Sequence, residues 1–446
     1  MKRINLYIVL LIMLGSLVSC KKFLDEKPDK ALVVPTRIED YQSILDGSFE
    51  MNLSSVFSPL ISADDYYLST ADYNKLGVYD RRLYTWEDRS MNEESTNDWK
   101  STYAQVYNTN IVLEGLEKIK RTASNEAKWD NLKGSALFFR GRLFFEAALI
   151  WAKAYDAGSA QTDPGVPLTM TSDFNIKTTR PTVKESYERI LADLTEAAAL
   201  LPVNAIHNIR PSKAAAYAYL SRVYLAMRDY NNAGKYADLS LQLNHKLIDY
   251  AGLDDMAPYP MPGVENPEVI VFFVTDLSFT PRIDPQFFEQ YTGNDYRKTI
   301  FFEELRDGSI GFKGSYDGGY SYFTGVATDE MYLNRAECYA RSGKLSEALA
   351  DLNLLLSKRI KNFENLTIGD PKAALKLILE ERKKELLLRG TRWMDLKRLN
   401  KEPEFQQTLK RDIAGLSFTL KPNDPKYALP IPERIIALSG IPQNVR

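Results

Sequence analysis

The stretch DEMYLNRAECYARSGKLSEALADLNLLLSKR, Asp329 to Arg359, decides how the chain is read. Tyr332, Ala336 and Tyr339 step by four and three, so they share one face of a helix. Ser342-Gly343 interrupts that pattern, and Leu345, Ala348, Leu352 and Leu355 resume it as a second apolar stripe. The two stripes can close on each other as an antiparallel helical hairpin. Ala336 and Ala348 let the backbones approach, and Tyr339 fills the space beside them.

From Tyr339 to Ala348 is nine residues, and Leu follows four and seven further on. That spacing is similar to the packing positions of a tetratricopeptide repeat, the alternative being an ordinary helical hairpin. The same nine-residue step runs from Tyr224 to Ala233. Upstream, GSALFFRGRLFFEAALIWAKAYD, the centre of a helix expected over 125–155, is apolar on most of its circumference; it reads as buried, with Arg140 and Arg142 in need of partners. A helix is also expected over 98–120. Thr182-Val183-Lys184-Glu185 is a capping box, opening a helix in which Ile190, Leu194 and Ala197 pack. Asp370-Pro371 caps another, expected to run to Arg389 with Glu380–Lys384 and Glu385–Arg389 ion pairs on a solvated face and to stop at Gly390. A short helix over 391–399 follows, and the end is a Pro-locked stretch plus one more short helix.

Helical repeats are thus expected at about 98–245 and 326–400. Between and before them lie two stretches with no sustained period, 52–97 and 246–325, rich in Tyr, Pro and Gly and read as irregular, with a β-prone run at 269–274. The fold class is mainly α: a superhelix of tetratricopeptide-like hairpins with a long, loop-rich ligand-binding region. Residues 37–446 form a single body.

The first twenty residues differ in kind. Lys2 and Arg3 precede an uncharged, Leu- and Ile-rich run too short to span a bilayer comfortably, as in a signal peptide over 1–19. It ends at Leu17-Val18-Ser19-Cys20, which looks like a bacterial lipobox, so Cys20 is the expected lipidation site; the alternative is a Cys that happens to lie by a conventional cleavage site. Several acyl chains there would anchor the protein firmly, where one gives only marginal binding. Residues 20–36 are then a lipidated tether. The other cysteine, Cys338, is expected to be a buried, inert thiol.

With 57 basic and 59 acidic side chains the formal charge is −2, without the basic surplus that nucleic-acid binding normally brings. His207 and His245 have no metal-ligand spacing, and no nucleophile, phosphate-binding or dinucleotide motif is present, so no metal, cofactor or catalytic residue is expected. Asp64-Asp65 could be half of a glycosidase acid pair, but adjacent carboxylates arise readily by chance among 59. A binding protein asks for less. Sugars stack flat C–H faces on aromatic rings while carboxylates take their hydroxyls. The irregular stretches offer Asp65, Tyr66, Tyr84, Trp86, Tyr291, Tyr296, Tyr316 and Tyr320 for this, each with packing as its alternative role.

In order along the chain, SCKKFLDEKPD, the FFRGRLFFEAALIWAKAYD helix, RPTVKESYERILADLTEAAALLP, SKAAAYAYLSRVYLAMRDYNNAGKYAD, the opening hairpin, LILEERKKELLLRGTRWMDLKRLN, and LPIPERI with GIPQN resemble the SusD/RagB family of outer-membrane lipoproteins. The resemblance implies a cell-surface protein that is not an enzyme. It would capture a glycan, or in some members a peptide, and close over a SusC-like TonB-dependent transporter for import. A repeat scaffold binding only protein and an enzyme remain as the other classes. None of the eight candidate residues lies in a shared motif.

Overall fold

The computed structural model describes residues 34–87 and 97–446. The signal peptide, Cys20 and nearly all of the tether lie outside the described residues. From Ile38 to Arg446 the chain forms one compact unit.

Five short helices come first: α1 (Ile38–Leu45), α2 (Ser48–Met51), α3 (Ser58–Ser62), α4 (Thr70–Lys75) and α5 (Val78–Thr85). The repeats begin with α6 (Asp98–Glu117) and α7 (Glu126–Trp151), continue through α8 (Val183–Leu200), α9 (Lys213–Ala226) and α10 (Tyr230–Leu243), and break at the second irregular stretch. That stretch holds strands β1 (Val269–Val271) and β2 (Val274–Thr275), helices α11 (Pro285–Phe288) and α12 (Arg297–Ile300), and strands β3 (Phe302–Glu304), β4 (Ile310–Phe312), β5 (Tyr322–Phe323) and β6 (Val326–Ala327). The opening hairpin is α13 (Thr328–Arg341) and α14 (Leu345–Ser357), followed by α15 (Pro371–Glu385), α16 (Arg392–Leu399), a hairpin of β7 (Leu409–Ile413) and β8 (Leu416–Leu420), and α17 (Glu433–Ser439).

Each helix packs on the next along the series α6–α7–α8–α9–α10, and α10 packs on α13, which meets both α14 and α15. The second irregular stretch is therefore an insertion, and the repeats on either side of it join directly. Ala233, Ala336 and Ala348 are fully buried where the helices meet. The α7–α8 contact is closer still: a Cβ on Gly141 would stand 2.9 Å from the Leu194 side chain. The capping box is present, with the Glu185 amide donating to Thr182 Oγ1 and the Thr182 amide donating to the Glu185 carboxylate. Arg140 pairs with Asp193, and Arg142 pairs with Glu146 while its guanidinium lies 3.8 Å from the Phe273 ring centre. Cys338 is buried, and desolvation pushes its thiol pKa up.

The end of α7 is closed by residues remote in sequence. Trp151 O accepts from Arg180 Nη2 (3.0 Å) and Asn444 Nδ2 (2.9 Å), Ile150 O accepts from the Leu429 amide (2.8 Å), and Lys397 Nζ donates to Leu149 O and Ala152 O (2.7 Å each). Orphan carbonyls of a buried helix end need such donors.

Three expectations are corrected. Residues 52–97, read as loop, contain α3, α4 and α5, each of eight residues or fewer and too short for a helical period to show. The helix that starts at Pro371 ends at Glu385, and the left-handed Leu388 (φ 55°) and Gly390 (φ 73°) on either side of Arg389 turn the chain away. The two i, i+4 pairs do not form. Glu385 instead pairs with Arg359 (2.7 Å) and Arg297 (3.1 Å), Lys384 with Glu381 (2.8 Å), and Arg389 with Asp329 (3.1 Å). Lys384, Glu385 and Arg389 face inward and are buried, while Glu380 stays exposed. The β-prone run does form strand, divided between two antiparallel ladders, β1 with β6 and β2 with β5.

Candidate functional site

Of the eight residues put forward from sequence, six are buried and bonded inside the body. Three of them, Tyr66, Tyr84 and Trp86, come together around one cation. Arg411, on β7, lies 3.8 Å from the centre of the Tyr84 ring and 4.5 Å from that of Trp86, and donates to the carbonyls of Ile61, Ala63 and Tyr84. Trp86 Nε1 donates to Ser62 O (2.9 Å), Tyr66 Oη donates to Ile61 O (3.1 Å), and Tyr84 Oη accepts from the Leu68 amide (3.0 Å). Asp65 accepts from the Leu388 amide (3.3 Å). Burial first, and then the charge of Asp64, raise the Asp65 carboxyl to about 7. Burial also disfavours ionisation of Asp64, but Arg392 and Lys383 outweigh it and hold that carboxyl below the usual range.

Tyr291 donates to Lys384 O (2.9 Å) and packs edge-on against Phe302. Tyr316 donates to Glu268 (2.6 Å), lies 2.8 Å from the Tyr250 hydroxyl, and carries Arg389 over its ring. These six therefore hold the irregular stretches to the frame. Tyr296 is half-buried, its amide donating to Arg359 O (2.8 Å). Tyr320 alone stands out, 76% exposed.

Tyr320 belongs to a surface that sequence reading did not assemble. Gly263 (φ 64°) and Gly318 (φ 69°) press backbone to backbone: a Cβ on Gly318 would lie 2.7 Å from Gly263 Cα, and one on Gly263 2.7 Å from Asp317 O. Only glycine allows both the conformation and the approach. This contact sets the loop carrying Tyr259, also exposed, against the loop carrying Asp317 and Tyr320. Tyr322, at the edge of β5, has its pKa raised by burial and then by the nearby Asp276 and Tyr259. Burial likewise raises Asp317, Asp276 adding to it and a hydrogen bond from the Ser321 amide opposing it. Around this centre Phe279 stacks on Tyr66 (5.3 Å between ring centres), Ser278 donates to Asp80 (2.7 Å), and the partly exposed Tyr67 is tied through its backbone to Arg282, which pairs with Asp72 and Asp307.

The result is an open face of two tyrosines, Tyr259 and Tyr320, beside the buried Tyr322, with two carboxylates, Asp276 and Asp317, neither of which is in an ion pair among the described residues. Tyrosine rings beside carboxylates that have no cation suit a polyhydroxylated ligand, and such binding needs no nucleophile. The available sequence signals were Pro258-Tyr259-Pro260, which fixes a tyrosine on a stiff loop, and Gly318-Gly319-Tyr320, which places another beside a forced turn.

Residues 22–225 match the family model described as "Starch-binding associating with outer membrane", and residues 328–444 match the model of the SusD family. SusD-like protein P38 of Formosa agariphila is 22% identical, over 90% of this chain and 92% of its own. Among solved structures, a SusD superfamily protein of Bacteroides thetaiotaomicron superposes with a TM-score of 0.73 at 21% identity, covering 92% of this chain and 100% of that one. A SusD-like carbohydrate binding protein of Bacteroides vulgatus gives 0.67 at 19% identity, covering 91% and 97%.

Proposed function

The chain belongs to the SusD/RagB family, and from that premise we propose that it is a surface nutrient-binding lipoprotein that captures a glycan and passes it to a SusC-like TonB-dependent transporter, without catalysis of its own. The observation that carries the reading is the open face of Tyr259 and Tyr320 with Asp276 and Asp317, set on a helical frame by the Gly263–Gly318 contact. A ring on each of two loops can grip two sugar units, and the carboxylates accept their hydroxyl protons. Membrane attachment belongs in this reading to the lipid on Cys20, which follows the lipobox-like Leu17-Val18-Ser19. A family model described as associating with the outer membrane supports that location.

The test is calorimetry of the lipid-free protein against panels of oligosaccharides and peptides, with product analysis of each mixture. Saturable binding of an oligosaccharide without turnover is the expected result. Peptide binding alone replaces the ligand class, capture of a transporter with no small ligand reduces the protein to a scaffold, and released product overturns the non-catalytic reading. Separately, Cys20→Ala is expected to move the protein from the membrane to the soluble fraction with its fold intact.

A further inference from the structure

Behind β5, where the irregular stretch re-enters the frame, lies a cavity of about 40 Å³ lined from α3, α7, α9, Thr324 and the turn between α15 and α16. Its wall is largely apolar, but several polar side chains reach into it. Tyr219 Oη, Thr324 Oγ1, Glu146 Oε2 and both Arg389 Nε and Nη2 are shielded from solvent and have no hydrogen-bond partner within the protein. Tyr219 is fully buried and Arg389 is 4% exposed. Their remaining bonds are spent elsewhere. Arg389 Nη1 donates to Asp329 (3.1 Å), Glu146 Oε1 accepts from Arg142 Nε (2.9 Å), and Arg222, also on the wall, is committed to Glu330 and to Gly325 O (2.8 Å).

A buried polar group without a partner costs about 1–3 kcal/mol, so four side chains in this condition around one space point to an occupant. Its chemistry follows from the mixture. The two Arg389 N–H groups can only donate and repel a cation; Glu146, with Arg142 already held against its other oxygen, presents an acceptor that repels an anion; Tyr219 and Thr324 can do either. Each arginine on the wall or beside it is matched by a carboxylate, Arg389 by Asp329, Arg222 by Glu330 and Arg142 by Glu146, so the surroundings carry no net charge to be neutralised.

We infer that this cavity is a water site holding about three molecules, at the ~10–15 Å³ a buried water needs, and that they bridge Arg389 to Glu146, Tyr219 and Thr324. The bridge joins α7 and α9 of the first set of repeats to the turn that follows α15 and to the Phe323–Gly325 junction between β5 and β6. It is thus a polar link between the frame and the strand that leads to the tyrosine face, and it stands whatever ligand that face takes.

A crystal structure of the lipid-free protein at high resolution tests the inference directly. Ordered density for waters, each within hydrogen-bond distance of at least two of these atoms, is expected; an empty cavity, or a bound ion, overturns it. A sign test in solution is independent of the crystal. In the double variant Thr324→Val/Tyr219→Phe both side chains keep their shape and lose their hydroxyls. If waters bridge them, the variant melts about 1–2 °C below the wild type. If the hydroxyls are orphans in a dry space, their removal leaves the melting temperature unchanged or raises it, and the inference fails.

Discussion

Two regions of this body are dense in charges and aromatic rings, and they use them in opposite ways. Where α13, α15 and α16 meet, the charges are buried and matched. Arg359 sits between Glu268 (2.9 Å) and Glu385 (2.7 Å), Arg382 and Arg398 share Asp395, and Arg398 also grips Glu337. On the tyrosine face Asp276 and Asp317 have no cation among the described residues, and Tyr259 and Tyr320 keep their rings in water. A cation paired inside the protein is spent on the frame, whereas an unpaired carboxylate beside an open ring is left for something else. The contrast separates packing from recognition more sharply than residue type does, since Tyr316 and Tyr320 are four positions apart and fall on opposite sides of it.

The frame side should break hardest. Arg359→Met leaves Glu268 and Glu385 in the interior without their shared cation and is expected to cost about 3–5 kcal/mol in denaturant unfolding. A loss under about 1 kcal/mol would mean that the matched charges do not organise the frame. Asp65 gives a pH-dependent test. Its carboxyl, at about 7 in the folded protein against 3.8 for the free group, holds a proton that the unfolded chain releases. Folding stability attributable to it therefore falls as pH rises between those values. Asp65→Asn keeps an acceptor for the Leu388 amide and should exceed the wild type at pH 8 by on the order of 2–4 kcal/mol, with the two converging near pH 4. Equal pH profiles would remove Asp65 from the buried group.

The recognition side should show the reverse pattern. Tyr320→Ala is expected to weaken oligosaccharide binding about tenfold, on the order of 1.4 kcal/mol, with no change in melting temperature. A loss of stability instead would place Tyr320 with the packing tyrosines. Smallest is Thr182→Ala, which removes the cap of α8 and should cost about 1 kcal/mol of stability with ligand affinity intact, read by denaturation and calorimetry together.

The repeats were legible because their information is local. The Tyr339–Ala348 step spans one helical hairpin, the Thr182–Glu185 box and the Asp370-Pro371 cap each lie within one turn, and the structure forms them as read. The ion-pair network was not, because its partners are distant: Arg359 meets Glu268 across 91 residues and Arg411 reaches Ile61 across 350. Spacing along α15 suggested neighbours on one face, and tertiary packing chose others. The β7–β8 hairpin did leave a local trace, passed over in reading the C-terminal region. Leu409, Arg411 and Ile413 alternate inward against Lys410 and Asp412, and Ala414-Gly415, both at positive φ, make the two-residue turn. For the site, a list of tyrosines in loops cannot distinguish those facing inward from those facing out. That depends on which loops abut, and here the deciding contact, Gly263 on Gly318, joins segments 55 residues apart.

The closure of α7 has a consequence for the order of folding. The longest helix of the body ends on donors from Lys397, Leu429 and Asn444, so its last turn is complete only when nearly the whole chain is present. A nascent or translocating chain therefore holds an unfinished first repeat until its final residues arrive, and a product cut short before Asn444 leaves the Trp151 carbonyl without that donor. The segment that carries Leu429 and Asn444 acts as a latch, making its synthesis a condition for completing α7.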